Sequence, residues 1–194
     1  MKAYAYVVGP GDTAWQTLFD MAGNIGFAGV SDYRGISQVV QQAGETPVCY
    51  FLFSPVADLS ALRPVADAIR FAASRTIRFS PMVYCAEDPS IDTIMACINM
   101  GFDDIVALPQ STSKLRERLG RQIGQNMVFY ETAGYFGPDR RNRVAALKPN
   151  PVANRVGGPF RRLEIVRNLL DGVSVLRDEF SSPSGDVAAM QTLQ

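Results

Sequence analysis

The sequence predicts an α/β fold: a doubly wound, five-stranded parallel sheet followed by an irregular arm and a C-terminal helix. Three observations carry this prediction. Short apolar runs alternate with stretches of helical periodicity through residues 1 to 127, and such alternation implies parallel strands joined by right-handed crossovers with helices on both faces. Val48-Cys49-Tyr50-Phe51-Leu52-Phe53 is six apolar residues in a row, the pattern of a central strand buried on both sides. Glycine and proline stand where strand must turn into helix or back, as at Gly9-Pro10-Gly11 and Gly101.

Ala3 to Val8 reads as the first strand, ended by Gly9-Pro10-Gly11. Asp12 or Thr13 caps the first helix, whose apolar face is Trp15, Leu18, Phe19 and Ala22. Phe27 to Ser31 is a short second strand, and Gly35 to Gln42 a helix with Ile36, Val39 and Val40 inward. Leu59 to Ala73 follows the central strand as a helix, with Pro64 near its first turn, where a missing N–H costs least. Pro81 to Cys85 is the fourth strand and Ser90 to Met100 the fourth helix. Gly101 is placed for the left-handed position that ends a helix. Ile105 to Leu108 is the fifth strand, and Ser111 or Ser113 caps a last helix reaching about Met127.

The remainder has another character. Residues 128 to 159, rich in Gly, Pro, Asn and Arg, read as an irregular arm. Residues 160 to 180 read as an amphipathic helix, because Leu163, Val166, Leu169, Leu170, Val173, Leu176 and Phe180 fall on one stripe. Packing on the first domain and a helix–helix dimer seam both suit that stripe. Residues 181 to 194 read as a disordered tail.

Composition excludes several functions. The chain has 194 residues, a net formal charge of zero and no histidine. Zero net charge gives no global field for nucleic acid or a membrane surface, and the missing histidine removes His-based triads and His metal sites. Cys49, Cys85 and Cys97 show no CxxC spacing, so they read as buried, reduced hydrophobes in a cytoplasmic protein. The N-terminus has the pattern of a strand, not of a signal peptide, and no apolar run is long enough to span a membrane. The arm is locally basic, with seven Lys or Arg against one acid from Gly137 to Arg162.

The stretch PMVYCAEDPSIDTIMACINMGFDDIVALP, Pro81 to Pro109, is similar to the last βαβ unit of a bacterial response-regulator receiver domain. Its most specific part, MGFDDIVALP, resembles the receiver pattern of a small residue, Gly-Ala-Asp-Asp, apolar residues, Lys and Pro. The resemblance covers residues 1 to about 127 and implies the CheY-like strand order 2-1-3-4-5. It also implies a chemistry: paired acids hold Mg²⁺, an Asp ending the third strand takes a phosphoryl group, and a hydroxyl residue and a Lys bind its oxygens.

This chain departs from the pattern at each of those places. Only Asp12 stands near the end of the first strand. Phe53 and Ser54 occupy the place of the phosphoacceptor, with Asp58 four or five residues beyond. Ala86 stands for the hydroxyl residue, Leu108 for the lysine before Pro109, and Ile105 for the switch aromatic. A pseudo-receiver with no aspartyl-phosphate is therefore expected, with no metal, no cofactor and no enzymatic activity.

Other signals are bland. Gly9-Pro10-Gly11 does not complete GxGxxG and reads as a tight turn. Glu87, Asp88 and Asp92, and the pair Asp103-Asp104, read as solvated or helix-N-terminal acids rather than metal ligands. Ser54 has no base to activate it. The arm carries the candidate partner contacts Tyr135, Phe136, Asp139, Arg140, Arg141 and Arg143, aromatics beside arginines being suited to anchored recognition. Docking on its own domain, binding a partner protein, and binding a nucleotide or nucleic acid all remain open for it.

The functional expectation is an adaptor in a two-component-type pathway acting through protein–protein contacts, with a homodimer open and nucleic acid disfavoured. Its contact face would be drawn from Met95 to Met100, Ile105 to Leu108 and Leu115 to Ile123. The alternative is a regulatory domain binding a small ligand or nucleotide at the strand ends, near Gly9, Ser54, Ala86 and Pro109.

Overall fold

Cys49–Phe53 (β3) lies at the centre of a parallel sheet, flanked by Tyr4–Val8 (β1) and Met82–Glu87 (β4), with Gly29–Asp32 (β2) and Asp104–Leu108 (β5) at the two edges. This is a computed structural model, which describes residues 2–139, 158–182 and 188–189. The strand order is β2-β1-β3-β4-β5 and every pairing is parallel. That is the doubly wound, receiver-like order expected from the sequence.

The strand pleat sorts side chains into two layers. Tyr6, Val8, Cys49, Phe51, Phe53, Met82, Tyr84 and Ala86 face one side. There they meet Ile36–Ala43 (α2), Arg63–Arg70 (α3), Arg75–Arg78 (α4) and Ile91–Asn99 (α5) through Val39, Ala66, Ile69, Ile77 and Cys97. Ala5, Val7, Tyr50, Leu52, Val83, Cys85 and Val106 face the other side. They meet Thr13–Ile25 (α1) and Thr112–Gly120 (α6) through Leu18, Ala22, Ile25, Leu115 and Leu119. Each large apolar side chain buried in this way contributes about 1.5–3 kcal/mol relative to exposure.

Local signals set the boundaries. The Asp12 carboxylate accepts from the Trp15 N–H and starts α1, Ser90 does the same for α5 and Ser111 for α6. Gly101 takes φ +81° after α5, as its placement predicts. The helix expected over Leu59 to Ala73 is instead a 3₁₀ turn, Leu59–Leu62, running into α3, which stops at Arg70. The last helix ends at Gly120, not near Met127, because the chain turns there to enter a second sheet.

That second sheet corrects the reading of the C-terminal third. Asn126–Thr132 (β6), Tyr135–Pro138 (β7), Phe160–Asn168 (β8), Gly172–Ser181 (β9) and Ala188–Ala189 (β10) form an antiparallel sheet in the order β10-β9-β8-β6-β7. Residues 160 to 180 are therefore a hairpin rather than an amphipathic helix. The apolar stripe mixes residues from both strands and their turn. In β8 the inward side chains are Leu163, Ile165 and Arg167, a period of two whose last member is charged. Asp171-Gly172, with Gly172 at φ +80°, closes the turn. The expected arm is likewise in part regular, since Val128 to Thr132 extend β6 and Tyr135 to Pro138 form β7. Residues 140–157 lie outside the described residues, as does most of the segment read as a disordered tail, although Ser181 belongs to β9 and Ala188–Ala189 pair with it as β10.

The two sheets meet through Phe79, Phe129, Phe136, Leu163 and Ile165, with rings 5.1–5.5 Å apart among the three phenylalanines. The backbone of β7 comes close enough to the α5–β5 turn that a Cβ on Gly101 would meet the Phe136 carbonyl at 2.3 Å, and one on Gly137 would meet Gly101 Cα at 2.7 Å. Only glycine fits on either side of that contact.

Candidate functional site

The C-terminal ends of the parallel strands are where this fold places ligands and chemistry. The registers put Val8 beside Phe53, Phe53 beside Tyr84, Ala86 beside Ala107 and Glu87 beside Leu108. The residues expected at the degenerate phosphoacceptor site therefore do lie at one end of the sheet. Phe53 is fully buried and its ring packs 4.6 Å from that of Phe102. Ser54 is fully buried, and its Oγ has no hydrogen-bond partner. That hydroxyl fills the space beside Gly9, where a Cβ would lie 2.0 Å from it. Trp15 closes the same corner, its indole N–H reaching the Val7 carbonyl at 3.3 Å.

Asp12 and Asp58, two of the nearby acids, are engaged as caps. Asp12 accepts from the Trp15 N–H at 2.9 Å. Asp58 accepts from the Ser60 hydroxyl and backbone N–H, both at 2.8 Å, and these bonds hold its carboxyl below the usual range. Ala86 is almost buried, Leu108 is half-buried, and the Leu108–Pro109 peptide is cis. Among the described residues no three of Cys, Asp and Glu gather where they could hold a metal ion. A shallow, mostly apolar cleft of about 510 Å³ remains beside Pro10, Ala14, Pro55 and Val56.

The N-terminal ends of the strands are the opposite case. Asp103 and Asp104, read from the sequence as solvated loop acids, are both buried. Asp104 holds Arg118 through two bonds, 2.7 and 2.9 Å. Asp103 is fully buried between two fully buried arginines, Arg70 from the end of α3 and Arg167 from β8, at 2.5 and 2.6 Å. It also accepts from the Met82 N–H at 2.8 Å. Burial alone would raise the Asp103 carboxyl, but the guanidiniums of Arg167 and Arg70 overcome it and hold the group below its usual range.

Arg70 further donates to the carbonyls of Gly101, Arg78 and Ser80. Arg167 donates to Phe79 O at 2.6 Å. Both guanidiniums lie 5.6 Å from the Phe129 ring. This triad is the polar fastening between the two sheets. Its one sequence-level signal is a charged residue in an apolar rhythm: Arg70 follows Ala66 and Ile69, and Arg167 follows Leu163 and Ile165.

The candidate partner residues are scattered. Phe136 is 2% exposed and belongs to the junction of the sheets, with Arg78 stacked 4.1 Å above its ring, so it cannot anchor a partner. Tyr135 is half-buried and donates to the Pro138 carbonyl at 3.2 Å. The Asp139 N–H donates to Val128 O at 2.7 Å and extends the β6–β7 ladder. Arg140, Arg141 and Arg143 lie outside the described residues. Of the readings left open for the arm, residues 135 to 138 take the first and dock on the chain's own α/β part. Ile105, on β5, packs half-buried against the α5 layer.

The three cysteines are buried and free, and burial pushes each thiol up to about 12. Among the described residues no helix is long and apolar enough to cross a membrane.

No protein-family model matches the chain, and no curated protein matches it. Several solved structures resemble its N-terminal part. A response regulator from Chloroflexus aurantiacus aligns over 61% of this chain and 94% of its own, at 16% identity and a TM-score of 0.44. A CheY-like protein (tadZ) from Pseudomonas aeruginosa aligns over 61% and 98%, at 12% identity and 0.45. The receiver domain of a Pseudomonas aeruginosa sensor histidine kinase, which holds a magnesium ion in its active-site cleft, aligns over 61% and 94%, at 20% identity and 0.45. In this chain the architecture rests on its own strand order and crossovers: a receiver-like α/β domain extended by an antiparallel sheet.

Proposed function

We propose that this chain is a non-phosphorylatable, receiver-like adaptor that acts through protein–protein contacts in a two-component-type signalling pathway. The observation that carries the proposal is the strand-end site. Its phosphoacceptor place is a buried serine with no base, Asp12 and Asp58 are engaged as helix caps, and Ala86 and Leu108 offer no group to bind phosphoryl oxygens. Such a site has neither the carboxylates that hold Mg²⁺ nor a nucleophile to accept a phosphoryl group. The contact half of the proposal draws support from α5. Ile91, Ile94, Met95 and Ile98 form an apolar stripe that is half-exposed, with Ile91 63% exposed. Without a phosphoryl switch, association is set by partner concentration.

Full-length protein incubated with acetyl phosphate and Mg²⁺ should show no phosphoryl mass gain, and beryllofluoride with Mg²⁺ should leave the amide spectrum around Ser54 and Ala86 unmoved. A covalent adduct or a saturable shift there would end this reading. The small-ligand alternative draws on the apolar cleft beside Pro10 and Val56. A rise of several degrees in Tm with one nucleotide, localised to that cleft, would favour it instead.

A further inference from the structure

Asp103 is outnumbered. Two buried guanidiniums face one buried carboxylate, leaving one excess positive charge in the junction between the sheets, and an uncompensated buried charge is costly. Arg70 distributes its share over three backbone carbonyls. Arg167 is less well served. Its Nη1 meets only the Gln122 side-chain oxygen at 3.3 Å and the Met127 sulfur at 3.1 Å, and thioether sulfur is a weak acceptor.

Gln122 and Met127 are walls of a cleft of about 580 Å³ bounded by α6, the edge of β5 and the start of β6, with Asp103 in its floor. Along the rim stand Lys114, Arg118 and Arg121, spaced i, i+4 and i+7 on one face of the helix end. Two rim acids are already engaged. Asp104 holds Arg118 bidentately, and Glu117 holds Arg121 at 2.6 Å. Lys114 has no ion-pair partner among the described residues. Arg118 uses Nε and one Nη on Asp104 and the Ile105 carbonyl, leaving its second Nη for another acceptor.

We propose that this cleft binds a small anion of the phosphate or carboxylate type, gripped by Lys114, Arg118 and Arg121 above the excess charge of the Arg70–Asp103–Arg167 triad. The cleft is larger than a bare phosphate needs and falls in the size range of small-molecule sites, so the anionic group has room for a substituent. Because the site spans α6 and β6, a bound anion also strengthens the seating of the second sheet. The inference stands apart from the adaptor reading, since it uses neither the buried Ser54 corner nor the α5 stripe.

Full-length protein should be titrated with sodium phosphate and with sodium citrate, each against sodium chloride at matched ionic strength, and followed by amide NMR. Saturable shifts are expected at Lys114, Arg118, Arg121, Gln122 and Met127 with at least one of the two anions. Saturation by phosphate alone assigns a phosphoryl ligand, and saturation by citrate alone a carboxylate. The double change Lys114→Ala/Arg121→Ala removes two exposed cations and should weaken the Kd about 100-fold, the scale of two charge-assisted bonds. Arg34→Ala, an exposed arginine in the β2–α2 connection, should leave it unchanged. Shifts that only track chloride, or a Kd that the double change leaves unaltered, overturn the proposal.

Discussion

The two ends of the parallel sheet differ in what they bury: apolar side chains at one, charged ones at the other. The C-terminal end, where this architecture places ligands, is filled with Phe53, a sealed Ser54 and Ala86, and its Asp12 and Asp58 are caps. The N-terminal end, ordinarily a plain edge, contains three fully buried charged side chains and the contact with a second sheet. The contrast teaches that polar machinery in this fold follows what must be held. One end packs apolar side chains around a buried hydroxyl. The other must hold the parallel sheet and its helices against a separate antiparallel layer, and so keeps its ionic residues dry.

The sharpest way to break the comparison is Asp103→Ala. It leaves two guanidiniums buried without a carboxylate and should cost about 3–5 kcal/mol, the usual effect of removing one partner of a buried pair. Urea unfolding measures it, and a loss below about 1 kcal/mol, the level of an exposed pair, would mean the triad is not a fastening. Gly101→Ala comes next. A left-handed φ and a Cβ 2.3 Å from the Phe136 carbonyl together should cost about 3 kcal/mol. Gly11→Ala, equally left-handed at φ +78° but with open space around it, should cost about 1 kcal/mol. Equal losses at the two glycines would show that the close approach of β7 contributes nothing.

A third effect is on pH. The folded Asp103 carboxyl lies below its ordinary value, so the unfolded chain takes up a proton first as pH falls. The stability from this group is complete above about pH 4, the ordinary unfolded range, and is lost as pH drops toward the folded value. Urea midpoints at pH 7, 5 and 3 should show that loss, and a midpoint that rises on acidification would contradict it. The smallest effect belongs to the other end. Ser54→Ala removes a buried hydroxyl that has no partner and should change stability by about 1 kcal/mol or less, toward greater stability. A loss of several kcal/mol would reveal a bond that Ser54 makes.

The parallel sheet was legible because its signals agree. Six apolar residues at β3, Asp12, Ser90 and Ser111 at helix starts, and Gly101 at a helix end each point to the same element. The antiparallel sheet was hidden by its own chemistry. Arg167 interrupts the two-residue rhythm of β8 with a charge that is in fact inward, and Val166, Leu169, Leu170 and Val173 happen to fall at helical spacing across a turn. The Asp171-Gly172 pair and the β-branched Val173 and Val175 were the available hairpin signal. At the strand ends, the residue types at Phe53, Ser54, Ala86 and Leu108 could be read position by position. The triad could not, because its members lie at residues 70, 103 and 167 and nothing local to any of them names the other two.

That separation has a bearing on how the molecule is made. Arg167 stands 64 residues after the carboxylate it completes. A ribosome delivers all five parallel strands well before this last cation, at a pace of about 5–20 residues per second. In that interval Asp103 has Arg70 alone, and the greasy underside formed by Phe79 and its neighbours has no cover. The nascent chain therefore passes through a stage in which its first sheet is present but unsealed, and the β8–β9 hairpin is the part that ends its exposure to chaperones and to other chains.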